Sequence, residues 1–166
     1  MRKWIALAAG LAILATANYT IYSKEQLLSN GRIVLLELAP VDPRSLMQGD
    51  YMALRFKVAD IVLGRGKAKE GLRDGHIVLK LDAQGVGNFV RFDDDTLLTS
   101  GEVRMRYRIR NEQAKFATNA YFFQEGDAQL YQAARYGEFR ADANGESILT
   151  GLRGQNLLPL GGHERQ

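Results

Sequence analysis

From Trp4 to Ser23 the chain carries no charged side chain. A helix rises about 1.5 Å per residue, so this stretch reaches about 30 Å, the thickness of a bilayer's hydrocarbon core. Arg2 and Lys3 precede it, and the positive-inside rule then predicts a cytoplasmic N-terminus and export of the residues beyond Ser23. Trp4, Tyr19 and Tyr22 fall near the two ends, where amphipathic rings favour the membrane interface. The same residues also fit a cleaved leader: Ile5 to Ala15 has signal-core length, and Ala15-Thr16-Ala17 matches a small-x-small cleavage site. The uncharged run continues past Ala17 through Tyr19, Ile21 and Tyr22, which favours a retained anchor. A buried helix of a soluble protein fits less well, because the span has no charged face to turn outward.

The remaining chain is long enough for one compact core and short for two. The sequence divides into an anchor over residues 1–23, a connector over 24–30 that also reads as a continuation of the helix, an exported β-rich domain over 31–160 and a flexible tail over 161–166. Cysteine is absent, so neither disulfides nor cysteine metal sites can hold the domain, and its own core must. The formal charge is +3, and setting aside Arg2 and Lys3 leaves the basic residues almost matched by the 19 acidic ones. That balance gives no case for nucleic acid, and export argues against it too.

Along the exported part, Asn30-Gly31 reads as a helix stop, and Arg32 to Ala39 as a strand buried on both sides or showing Glu37 outward. His76 to Asp82 alternates, and Ala83-Gln84-Gly85 closes it onto Val86 to Phe92. Glu102 to Arg110 is the cleanest strand, with Val103, Met105, Tyr107 and Ile109 on one face and Arg104, Arg106, Arg108 and Arg110 on the other. Lys115 to Phe123 reads as a further strand rich in rings. Gln124 to Arg135 reads as the domain's helix, with Glu125 and Asp127 at its start and Arg135 near its end. Glu138 to Ala141, an Ala143-Asn144-Gly145 turn and Ser147 to Leu152 form a last hairpin, followed by an apolar strip of Leu157, Leu158 and Leu160. These elements specify a mainly β fold: a barrel-like or sandwich domain with one packed α-helix, preceded by a transmembrane helix.

The stretch from Asp42 to Phe56 organises the domain. Asp42 as N-cap, Pro43 at the first helical position and Gly49 as a left-handed stop predict one helical turn. A strand comes next, ending near Val62, with Met52, Leu54, Phe56 and Val58 on one face and Tyr51, Ala53, Arg55 and Lys57 on the other. Tyr51 is then either a member of a second core or a phenol beside Asp50 at a surface site. Gly49-Asp50-Tyr51, Leu54 and the aromatic Phe56 resemble the signature of the GDYXXLXY protein family, bacterial membrane-anchored proteins without an assigned activity. Phe56 stands where the signature has tyrosine, which keeps the ring and removes the hydroxyl. The resemblance extends to Asp42-Pro43-Arg44 and to Tyr121-Phe122-Phe123-Gln124-Glu125-Gly126 with Tyr131, Ala134 and Tyr136. It implies attachment to the bacterial inner membrane and a multi-spanning membrane protein as partner, and it implies no chemistry.

Candidate contact residues are Asp42, Arg44, Gly49, Asp50, Tyr51, Glu125 and Tyr131, since Gly49 and Asp50 shape the signature turn and the others are polar or aromatic groups that a simple core does not require. The same signature residues also have a structural reading, with Gly49 as stop, Asp50 as turn acceptor and Leu54 and Phe56 as core. The face of Arg104, Arg106, Arg108 and Arg110 suits lipid head groups, an acidic glycan or an acidic partner, but pairing with acids on neighbouring strands is the simpler expectation. Gly64 to Gly71 lacks the strand-loop-helix context of a phosphate cradle and reads as a solvated loop. Asp93-Asp94-Asp95 lacks the spacing of a calcium loop, and His76 stands alone at a strand start. No catalytic residue, metal site or cofactor is assigned: two histidines and no cysteine leave little for such chemistry. A Ser45-based hydrolase lacks the Ser-Met-x-Pro segment of signal-peptidase-like proteins. The composite expectation is an interaction or accessory subunit bound to the bilayer and a multi-spanning protein, with an exported ligand-binding module or hydrolase using Asp50 and Tyr51 as the alternative. The sequence fixes no oligomeric state.

Overall fold

With no proline before Asn30-Gly31 to break it, the N-terminal stretch runs as one helix, α1 (Arg2–Asn30), through residues 24–30 as well. It ends where Gly31 donates its N–H to the Leu27 carbonyl. The computed structural model describes residues 2–40, 47–48, 51–66 and 73–161. The helical turn expected from Asp42, and most of the Gly64–Gly71 loop, lie outside the described residues.

Beyond α1 the order is β1 (Arg32–Glu37), β2 (Met47–Gln48), β3 (Tyr51–Ala53), α2 (Lys57–Gly66), β4 (Gly75–Leu81), β5 (Gly87–Phe92) and β6 (Glu102–Arg110). β7 (Gln113–Lys115), β8 (Ala120–Phe122), α3 (Ala128–Tyr131), β9 (Tyr136–Ala141) and β10 (Ser147–Arg153) complete it. β9 pairs antiparallel with β1 and β10, and β4 with β5 and β6, while β7 extends the far end of β6. A parallel bridge, Leu35 to Val86, joins the two sheets, so the strands run β10-β9-β1-β5-β4-β6-β7. The run curls: Arg106 donates its N–H to the Gly145 carbonyl at 2.8 Å, bringing the β9–β10 turn back to β6. The result is a mainly β domain, a curled half-barrel with a packed helix, which agrees with the barrel-like alternative of the sequence reading.

Rings thread the core in a chain. Phe89 meets Phe92, Phe92 meets Tyr107, Tyr107 meets Phe116, and Phe56 lies between Phe116 at 6.4 Å and Phe139 at 5.3 Å. Edge-on contacts of this kind add to the area that each ring buries. β1 is buried on both sides only at its centre: Val34 and Leu36 enter this core and Leu35 is covered on the opposite face, where Ile33 stays exposed.

Three elements depart from the sequence reading. The signature strand stops at Ala53, and Lys57–Gly66 is helix. Val58 and Val62 satisfy a period of two as well as 3.6, but buried Ala59 and core-packed Leu63 fit only the helical period. The helix expected over Gln124–Arg135 shrinks to α3, because Asp127 makes no side-chain cap and Tyr131 with Ala134, rather than Leu130 with Ala134, face inward. The packed helix of the domain is therefore α2. The strand expected over Lys115–Phe123 splits into β7 and β8 at Ala117, whose φ of 48° no strand accommodates. In the last apolar strip Leu160 packs on the core, whereas Leu158 stays exposed.

Candidate functional site

The signature falls at the junction of the half-barrel and a small second sheet. β3 is the middle strand of β2-β3-β8, with Tyr51 opposite Phe122, Met52 opposite Tyr121 and Ala53 opposite Ala120. Because side chains alternate along a strand, Met52 turns to the core and Tyr51 to the other face. There its ring lies 5.7 Å from that of Phe122, which is 73% exposed. Leu54 and Phe56 are buried, Phe56 completely, so the apolar half of the signature is core. Arg55 projects outward and meets Asp60 of α2 at 2.7 Å.

The other candidates separate. Glu125 is exposed in the loop between β8 and α3. Tyr131 is buried, its ring stacked on Phe123 and tilted against Tyr121. Burial, with a hydrogen bond to Tyr121, pushes its phenol up to about 12. Asp42, Arg44, Gly49 and Asp50 lie outside the described residues, as does Ser45. Phe122 is the exposed ring that the sequence reading passed over; its place between Tyr121 and Phe123 on an alternating strand was the available signal.

Next to Tyr131 a cleft of about 540 Å³ is lined by Tyr121, Phe123, Glu138, Arg153 and Leu160, among others. Of its two acids, Asp127 and Glu138, the second is engaged: Glu138 accepts from Arg153 Nε at 2.6 Å and from the Thr150 hydroxyl. The cleft therefore offers an aromatic wall beside a neutralised ion pair.

The arginine face of β6 is as the alternation predicts, and most of it is paired. Arg104 meets Asp93 at 2.5 Å, Arg106 meets Glu146 at 2.5 Å, and Arg110 takes both oxygens of Asp74 at 3.0 and 3.1 Å. The Ile109 N–H and then Arg110 hold the Asp74 carboxyl below its usual value, and Arg106 does the same for Glu146. Glu102 is lowered first by the Thr99 N–H and then by Arg91. Asp93 and Asp94 serve Arg104 and Arg91, and among the described residues no group of three His, Asp or Glu side chains is placed to hold a metal ion. Arg108 has no carboxylate within ion-pair distance among the described residues.

No curated protein and no solved structure matches the chain. A family model, GDYXXLXY protein, matches residues 13–152, from inside α1 to the end of the half-barrel. With the Tyr51, Leu54 and Phe56 positions seated where β3 enters the core, the chain belongs to the GDYXXLXY protein family.

Proposed function

We propose that this protein is a membrane-anchored accessory subunit, its N-terminus in the cytoplasm of a bacterium and its β domain on the periplasmic or extracellular side of the inner membrane. One observation carries this: α1 is apolar and long enough to cross a membrane, yet its described side chains before Leu27 are all exposed. Trp4, Ile5, Leu11, Ile13 and Leu14 all stand exposed, and a helix apolar all round needs a bilayer or another protein about it.

The partner is a multi-spanning membrane protein, and the contact is the face bearing Tyr51 and Phe122. Paired aromatic rings offering large area at low entropic cost are the usual anchors of an interface. A photo-crosslinker at Phe122 in intact membranes should capture one integral-membrane protein, and Tyr51→Ala should reduce that product at unchanged protein level. Equal crosslinking in wild type and variant, or capture of lipid alone, would overturn the contact assignment.

A further inference from the structure

Arg108 is exposed and faces a like charge. β7 sets Lys115 directly opposite it, and like charges facing across a strand pair repel. Its neighbours Arg104, Arg106 and Arg110 each meet an acid directly, whereas Arg108 feels Asp74 and Glu146 only at longer range, so among the described residues of this strand pair Arg108 and Lys115 are the cations without an acid in contact. Both line a groove of about 350 Å³ with Lys24, Arg106, Arg110 and Glu146. Glu146 is already held by Arg106 and lies 3.9 Å from Lys24, which leaves the groove cationic.

The position of the groove selects the anion. Lys24 is the first charge after the uncharged run that ends at Ser23. On α1 just before it, Tyr19 and Tyr22 share a second, more apolar groove with Leu98, whose neighbour Leu97 is 93% exposed. The base of the domain thus descends to the level of the interfacial tyrosines, and the cationic groove opens at the depth of lipid head groups. Guanidinium and ammonium groups suit phosphate oxygens, the first as a planar fork and the second as a point charge.

We propose that Lys24, Arg108 and Lys115 form a receptor for the phosphate of an anionic phospholipid in the outward leaflet, an inference that rests on α1 being a membrane anchor. It fixes the domain's orientation on the surface, presenting the Tyr51 and Phe122 face to a neighbour in the same membrane.

The full chain, reconstituted in vesicles of phosphatidylcholine with and without phosphatidylglycerol, tests this by the lipid retained after mild detergent extraction, read by native mass spectrometry. Wild type should retain phosphatidylglycerol over phosphatidylcholine. Arg108→Ala and Lys115→Ala should each weaken that preference about fivefold, the effect of one basic side chain at an anionic surface. Arg108→Lys should largely preserve it, Arg55→Ala should leave it unchanged, and thermal melting of Arg108→Ala should be no lower than wild type. An equal preference in the double alanine variant, or displacement of the lipid by millimolar inorganic phosphate, would overturn the lipid assignment. Carbonate washing of the same vesicles separates the two readings. A chain that washes off refutes the anchor and the receptor together, whereas one that stays but shows no lipid preference refutes the receptor alone.

Discussion

Phe56 shows why a signature position can be structural. Its ring fills the space between Phe116 and Phe139, and β9 makes room for it at Gly137, where an added Cβ would sit 2.8 Å from the Phe56 ring. Gly137→Ala should therefore cost about 1–3 kcal/mol in urea unfolding, the usual range for overpacking a filled core. Phe56→Ala should cost about 3–5 kcal/mol by emptying it. Tyr131 gives a pH signature. Below pH 10.0 its phenol is protonated in the folded and unfolded chain alike, and its contribution is intact. Between there and about 12 the unfolded chain ionises first, so stability falls as pH rises through that window. Tyr131→Phe should flatten this part of the stability profile, measured by denaturant titration at stepped alkaline pH. The core role of Leu54 and Phe56 was legible from alternation alone. That of Tyr131 was not, because its burial depends on the chain leaving the helical path straight after α3, which no local pattern announces.

At the scale of elements, α2 tests which force holds a short helix on a sheet. Its inner face carries Val58, Ala59 and Val62, and its outer face the Arg55 to Asp60 ion pair. Val62→Ala should destabilise by about 2 kcal/mol, from two buried methyl groups and the space they leave. Asp60→Ala should cost well under about 1 kcal/mol, since an exposed ion pair is screened by water. Equal losses in thermal or urea unfolding would contradict burial as the main force holding α2 in place. Strands β4 and β6 were readable from alternation, a pattern that survives without knowledge of neighbours, and β9 and β10 from the Ala143-Asn144-Gly145 turn between them. The short ones were not. Two apolar positions four apart suit strand and helix equally, and the break between β7 and β8 rests on a positive φ at an alanine, a residue with no preference for it.

In the whole molecule, a helix whose apolar stretch the domain leaves exposed leads into a half-barrel that needs no disulfide. The sequence made the division visible, because absence of charge over a bilayer's length is a property of the chain itself. It left open which face of the domain meets which neighbour, because Asp74, Glu146 and Asp93 reach their arginines only through folding, and those pairings leave Arg108 without an acid in direct contact among the described residues. Tethering is the claim on which both the contact face and the lipid receptor stand. The chain has no cysteine, so a single Gln84→Cys at the exposed β4–β5 turn can be labelled cleanly in spheroplasts with a membrane-impermeant maleimide and followed through a carbonate wash. A tethered, exported domain is labelled without lysis and stays with the membrane pellet. Labelling only after lysis, or a labelled chain released into the wash, would contradict it.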